Sequence, residues 1–534
     1  MGILWFGGSI YTLENAREAV EAVYTENDEI KAVGTYEKLY HEHYKNIDKE
    51  MNLQGKTMLP GLVDSHLHII MHGEKLLRLD LSQMKSAEEV KEALRNRMAN
   101  LAEGEWLVGE GWNENQWDDP SIIHKSELDE ICPDNPMMLT RVCRHAILTN
   151  SKAMQLANLN KQTPNPQGGI IVRDEQGDTT GYLLDTAQEI IKQAMPGVSQ
   201  NYLEQVIKIA VDDLISKGLV GGHSEDLNYY GGFLKTYNAF KNALNDDNKK
   251  FKAHLLVHHE VMEDMVNEKL GYLDGTANVE LGAVKIFSDG ALGGRTAWLT
   301  ESYSDDIGNK GVAIHSQNSL EQLVRDARQY GLPIAVHAIG DKAVDEITNI
   351  IKKYPLTNGA RDRIIHGQIL NKQSLQMLQK LPVVVDIQPS FVTSDFPWVI
   401  DRIGESRIPL AYAWKTMLNN KVHCAGGSDA PIEEVSPLLG IQAAVERKSS
   451  IDGKVYNEAE RLSIYEAIQL YTSGSAYAVK QEHERGLIAK GFKADFTILE
   501  EDVFKVETDK IHEIDVAITV IDGDIVYEKN PSQS

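Results

Sequence analysis

The chain has 534 residues, 42% hydrophobic and 25% charged, a balance that supports a sizeable core and excludes wholesale disorder. Its 54 Lys and Arg stand against 79 Asp and Glu, and the resulting formal charge of −25 repels nucleic acid and anionic lipid. No apolar run approaches the roughly 18 residues of a membrane span.

The N-terminal stretch MGILWFGGSIYTLENAREAV has no basic leader ahead of its apolar part, so it does not read as a signal peptide. Residues 1–57 alternate short apolar runs with Gly and Asn, the pattern of strands and turns. The far end, 485–534, repeats that pattern and carries a D-G turn at Asp522 and Gly523. Neither end holds enough strands to close a stable sheet alone, so the two are expected to form one composite β-sandwich domain.

From 58 to 484 the pattern changes to short apolar runs alternating with helical periodicity, the signature of βα units. In NYLEQVIKIAVDDLISKG, Leu203, Val206, Ile207, Ala210, Val211, Leu214 and Ile215 follow helical spacing, and Gly218 stops the helix. GLVDSHLH, LVGGH, KAHLLVH, LGAVKIF, PIAVH, RIIH, PVVVDIQ and KVHCAGG then read as eight buried strands. Eight such repeats predict an α/β fold, a (β/α)8 TIM-type barrel. The first two strands lie far apart, so about 75–200 is expected to be an inserted subdomain. The three cysteines, Cys132, Cys143 and Cys424, are odd in number and lack C-x-x-C spacing, which argues against disulfides and for a cytoplasmic protein.

Catalytic groups of such barrels sit where strands end. Here those positions hold His66, His68, Lys285, His337, His366 and Asp429. His66 and His68 are two apart, so in a strand both imidazoles face one way; they either grip one ion or are two satisfied histidines. Lys285 falls inside the apolar run of a buried strand. It either snorkels or pairs with Asp289, or it loses its proton on burial and takes up carbon dioxide as a carbamate able to bridge two cations. His337 and His366 close consecutive strands, as core or capping histidines or as ligands. Asp429, in GGSDAP, is a ligand or the cap of the next helix.

Taken with GWNENQW, RVCRHAILTNSKAM, GGIIVRDEQGDTTGYLLD, VKIFSDGALGGRTAWL, VHAIGD and RIIHGQ, these residues resemble the amidohydrolase superfamily, specifically amidohydrolase family 3, the metal-dependent hydrolases related to N-substituted formamide deformylase. The resemblance covers nearly the whole chain. It implies the barrel beside the β-sandwich, with one or two divalent metals, zinc by expectation. His66, His68 and Asp429 would hold one metal, His337 and His366 the other, and carboxylated Lys285 would bridge them. Gly294 stands where relatives often have Ser, and Ile365 where an acidic residue is common, departures that bear on substrate preference.

The expected activity is hydrolysis of a non-peptide carbon–nitrogen bond in a small-molecule substrate, with Asp429 moving the proton. The rivals are a mononuclear deaminase and a non-enzymatic scaffold. Relatives that deaminate carry a glutamate three residues after the fifth-strand histidine, where this chain has Gly340. Trp112, Arg141, His145, Asp289 and Arg295 lie in family-like motifs and are candidate pocket residues, each with a packing, pairing or capping alternative. His223 and His258 also end strands and read as packing or supporting residues. A homodimer is left open; nucleic-acid and membrane partners are not expected.

Overall fold

The structure is a computed structural model that describes residues 1–16, 18–99, 101–143, 145–245 and 249–529. It divides into two compact units, Met1–His72 with Leu203–Ser534, and Gly73–Tyr202.

The first unit contains eight consecutive parallel strands: Leu62–Leu67, Leu219–Ser224, Lys252–His258, Val279–Phe287, Ile334–Ala338, Asp362–His366, Val383–Ile387 and His423–Gly426. Each pairs with the next in sequence. All are buried almost throughout, which is why the sequence reads as continuous apolar runs rather than alternation. The last strand returns to the first just past their ends: Asp429 N–H donates to His66 O at 2.7 Å, and His68 N–H donates to Ala430 O at 2.8 Å. Gly427 permits that approach, because a Cβ there would lie 2.5 Å from the His66 nitrogen. The helix Gln200–Ser216 buries the seven apolar residues that its periodicity singles out.

The chain ends meet in one sheet. Thr57–Pro60 pairs antiparallel with Phe496–Leu499, register Met58 to Ile498. The long strand Gly2–Tyr11 pairs through its first half with Lys49–Asn52 and through its second with Thr57–Pro60. Hydrogen bonding is therefore continuous between the two arms of the expected sandwich. Ile3, Trp5 and Val23 from one arm share a core with Phe496, Ile498 and Val520 from the other. Thr497 and Thr519 seat this sheet on the barrel by donating to Gly218 O at 2.6 Å and Ile215 O at 2.8 Å.

The second unit is built on a six-stranded sheet that includes Leu107–Trp112, Met137–Arg141, Ala146–Thr149 and Thr179–Asp185. One of its cores gathers Leu94, Leu107, Trp112, Leu128 and Leu139; the other gathers Met138, Ile147, Ile171, Leu183 and Ile191. Among the described residues no helix is long and apolar enough to cross a membrane.

Candidate metal centre

Extended backbone at the end of the first barrel strand, with His66 inside it and His68 one residue beyond, turns both imidazoles to one side, and the strand-end contacts bring Asp429 between them. Asp429 Oδ1 is 3.5 Å from His66 Nε2 and 3.4 Å from His68 Nε2. His66, His366 and Asp429 each offer a ligand atom within 4.8 Å of the others, all three residues being buried. The His337 and His366 rings lie 4.5 Å apart, and Lys285 Nζ is 3.5 Å from His66 Nε2. All six side chains picked out at the strand ends thus occupy one site. His366 and Asp429 both adopt positive φ, at 77° and 59°, a left-handed backbone that non-glycine residues take up mainly where surrounding structure imposes it.

The neighbours of each imidazole fix which nitrogen faces the site. His68 Nδ1 lies 2.7 Å from the Glu225 carbonyl and His366 Nδ1 2.7 Å from Gln388 Oε1. Carbonyl oxygens only accept, so these Nδ1 atoms carry the proton and Nε2 is left as a donor to an ion. His337 is reversed: its Nε2 lies 3.2 Å from Gly290 O, which leaves Nδ1. His66 Nδ1 is buried and has no hydrogen-bond partner among the described residues, while its Nε2 faces Asp429 and Lys285.

Burial, reinforced by Lys285, holds His66 well below the ordinary imidazole range. Burial does the same to His337, helped by His366 and Lys285, and brings His366 down to about 4. These three are therefore neutral, the state a metal ligand needs. His68 differs: burial opposes its charge, but the Asp429 bond and the carboxylates of Glu225 and Asp226 raise it to about 9. Asp429 is held low by His68, His366 and Lys285 in spite of its burial. Burial depresses the Lys285 amine, while Glu225, Asp429 and Asp386 pull the other way. Lys285 makes no ion pair with Asp289 among the described residues; its Nζ lies 4.5 Å from the Phe287 ring centre.

Several supporting residues carry no motif of their own. Asp64 accepts from the backbone of His66 at 3.0 Å and from Ser428 Oγ at 2.6 Å, tying the first strand to the loop that carries Asp429. Glu225, fully buried just past His223, takes the Tyr229 hydroxyl at 2.9 and 3.0 Å and lies 3.6 Å from His68 Nδ1. Below the site, Arg363 bonds Asp386 at 2.8 Å and the Ser65 carbonyl at 2.6 Å. His223 is part of this network, 3.1 Å from Arg363, whereas His258 caps the turn after its strand.

The candidate pocket residues are held differently from the candidate ligands. Asp289 is a buried clamp: its oxygens accept N–H groups of Trp298 and Gly340 at 2.8 Å and Ile339 at 3.0 Å, and its Oδ1 lies 3.5 Å from His337 Nε2. Arg295 is bound to Asp305 at 2.9 and 3.1 Å on the loop after the fourth strand. In the inserted unit, Trp112 is core and donates to Leu139 O at 2.9 Å, and Arg141 grips Glu114 at 2.8 and 2.9 Å. His145 is exposed beside Asp185. Each of them makes a packing, pairing or capping contact within the chain.

A parallel eight-stranded barrel with imidazoles and a carboxylate converging at its strand ends defines the class, a barrel enzyme with a metal-type site. The model of the amidohydrolase family matches residues 49–527, and the chain belongs to that family of hydrolases. It is 48% identical to YtcJ of Bacillus subtilis (strain 168), over 99% of this chain and 100% of that one. It is 24% identical to N-substituted formamide deformylase of Arthrobacter pascens, over 99% of both chains. Its fold matches a crystal structure of an uncharacterized metal-dependent hydrolase from Pyrococcus horikoshii OT3 with a TM-score of 0.78 and 28% identity, over 95% of this chain and 99% of that one.

Proposed function

We propose that this protein hydrolyses a non-peptide carbon–nitrogen bond, an amide of a small molecule, using one or two divalent metals, zinc by choice of ligands. The observation that carries the reading is the convergence of four histidines, Asp429 and Lys285 on one buried site at the strand ends. The donor set fits such ions: the buried neutral imidazoles of His66, His337 and His366, His68 once it gives up its proton, and a carboxylate suit zinc. His66, His68 and Asp429 would hold one ion and His337 and His366 a second, with Lys285 bridging as a carbamate. Bound there, a divalent ion supplies Lewis acidity and brings the pKa of a water down to roughly 7.

The chain's own part is orientation and proton transfer. Glu225 and Gln388 hold His68 and His366 in the ligating tautomer. Asp429, fixed through the loop that Asp64 clamps, is the group that takes a proton from the attacking water and passes it to the leaving nitrogen. A deaminase using an acid at position 340 is disfavoured, since a Cβ at Gly340 would lie 2.0 Å from the Trp298 carbonyl oxygen. The relation to the Arthrobacter deformylase supports amides as the first substrates to try.

The test is a panel of N-formyl, N-acyl and cyclic amides offered to the metal-loaded protein, with carboxylate and amine release both measured. The expected result is hydrolysis that chelation abolishes and that Asp429→Asn lowers by about 10²–10⁴-fold. Release of ammonia from amino-substituted heterocycles, with every amide inert, would replace this reading by the deaminase.

A further inference from the structure

The inserted unit holds a cavity of about 650 Å³ whose described lining comes wholly from Gly73–Tyr202. That volume is in the range of small-molecule sites. No residue of the candidate metal centre lines it, and nothing in the reading above uses it.

Its walls sort by chemistry. The sheet contributes Val108 and Met138 and, two residues on from each, Glu110 and Thr140; strand alternation puts each pair on one face. Leu77 and Met195 extend the apolar part, and Trp106 and Tyr202 add aromatic surface. The charged lining is mostly neutralised from within. Arg78 lies 3.1 Å from Glu110 and 3.8 Å from Glu74, and Lys192 lies 2.9 Å from Glu189. Glu74 also takes the Tyr202 hydroxyl at 3.1 Å, and Glu105 takes the Ala102 N–H at 3.1 Å. Among the described lining charges two lack an opposite partner, Glu105, which is exposed, and Arg97, which is half-buried and the one such cation. It donates to the Leu77 carbonyl at 3.2 Å, and among the described residues no carboxylate lies within ion-pair distance of its guanidinium.

We infer that this cavity is a second ligand site, specific for a monocarboxylate with an apolar or aromatic body, the carboxylate on Arg97 and the body against Val108, Met138, Trp106 and Tyr202. A guanidinium presents several N–H donors in one plane and matches a carboxylate in a forked geometry. A half-buried guanidinium beside apolar surface gives such an anion more than bulk water would. A second cation would meet the Arg97 charge, and a neutral amide would leave it unanswered, so the class is an anion with an apolar tail.

The experiment is calorimetric titration of the full-length, metal-loaded protein with 4-phenylbutyrate, 4-phenylbutanamide and 4-phenylbutylamine, which share one apolar body. Saturable binding of the carboxylate is expected, at least tenfold tighter than the amide, with the amine weakest. Arg97→Met should cost the carboxylate at least tenfold and leave the amide nearly unchanged. Arg97→Lys should retain part of the preference, and Val108→Trp, which fills the cavity, should weaken all three ligands. Thermal melts identify any variant that fails to fold, and the remaining variants then carry the test. Carboxylate binding untouched by both Arg97→Met and Val108→Trp would place the ligand elsewhere, the metal centre included, and overturn the proposal. So would the absence of saturable binding to the unaltered protein at millimolar concentration.

Discussion

Lys285 and His68 are the two residues on which the proposed chemistry makes its sharpest demands. Lys285 is 1% exposed and 3.5 Å from a histidine nitrogen, a setting that favours an uncharged amine and hence carbamate formation. If the carbamate forms, Lys285→Ala removes an anionic ligand shared by two ions. Most activity and part of the metal should then be lost, and acetate or propionate should restore part of the rate by filling the vacated place. Near-normal activity without added acid would end the carbamate proposal. For His68 the sign of the pH effect follows from its pKa of about 9. Without metal it is protonated through neutral pH, and a ligand must be neutral, so metal uptake at pH 7 to 8 should release a proton. Affinity should rise with pH up to about 9 and then level off. Calorimetry in buffers of different ionisation enthalpy measures the release, and a proton count of zero at pH 7.5 would contradict the assignment.

At the scale of elements, the sequence makes the strand ends plain and hides what supports them. His337 and His366 were legible because each closes an apolar run. Glu225 and Gln388 were not, since their roles depend on which ring the next strand presents. The Arg363 and Asp386 pair lies between: Asp386 is a lone charge in the apolar strand VVVDI, Arg363 stands beside Asp362 in DRIIH, and opposite signs in adjacent buried strands are a usable signal. The register sets Ile365 against Asp386, and the two charged side chains are 1% and 0% exposed. Replacing one member leaves the other buried and unpaired, so Arg363→Met should cost roughly 3–5 kcal/mol in denaturant unfolding. Arg363→Met with Asp386→Leu should recover part of that loss, and equal loss in the single and double variants would argue against the pair. Gly427→Ala tests the contact of the last strand with the first. Its Cβ would meet backbone at 2.5 Å, and overpacking there should cost about 1–3 kcal/mol or more.

At the scale of the whole molecule, the two chain ends stand or fall together. Their partnership could be anticipated from two β-rich ends too short to fold alone. The pairing of Thr57–Pro60 with Phe496–Leu499 could not, because it joins segments more than 400 positions apart and no local pattern encodes the match. Removing residues 485–534 takes Phe496, Ile498 and Val520 out of a shared core and strips the threonine bonds that seat the sheet on the barrel. The truncated chain should be insoluble, and a soluble, active product would show that the ends are independent appendages. The barrel, in contrast, gathers four histidines, Asp429 and Lys285 at its strand ends, and the role proposed for that site is to hold divalent ions. Elemental analysis of protein grown with ample zinc and never exposed to chelator tests this most directly. The account predicts one to two equivalents of a divalent transition metal per chain, reduced in His66→Ala and Asp429→Ala; well under one equivalent of any divalent metal in the unaltered protein would contradict it.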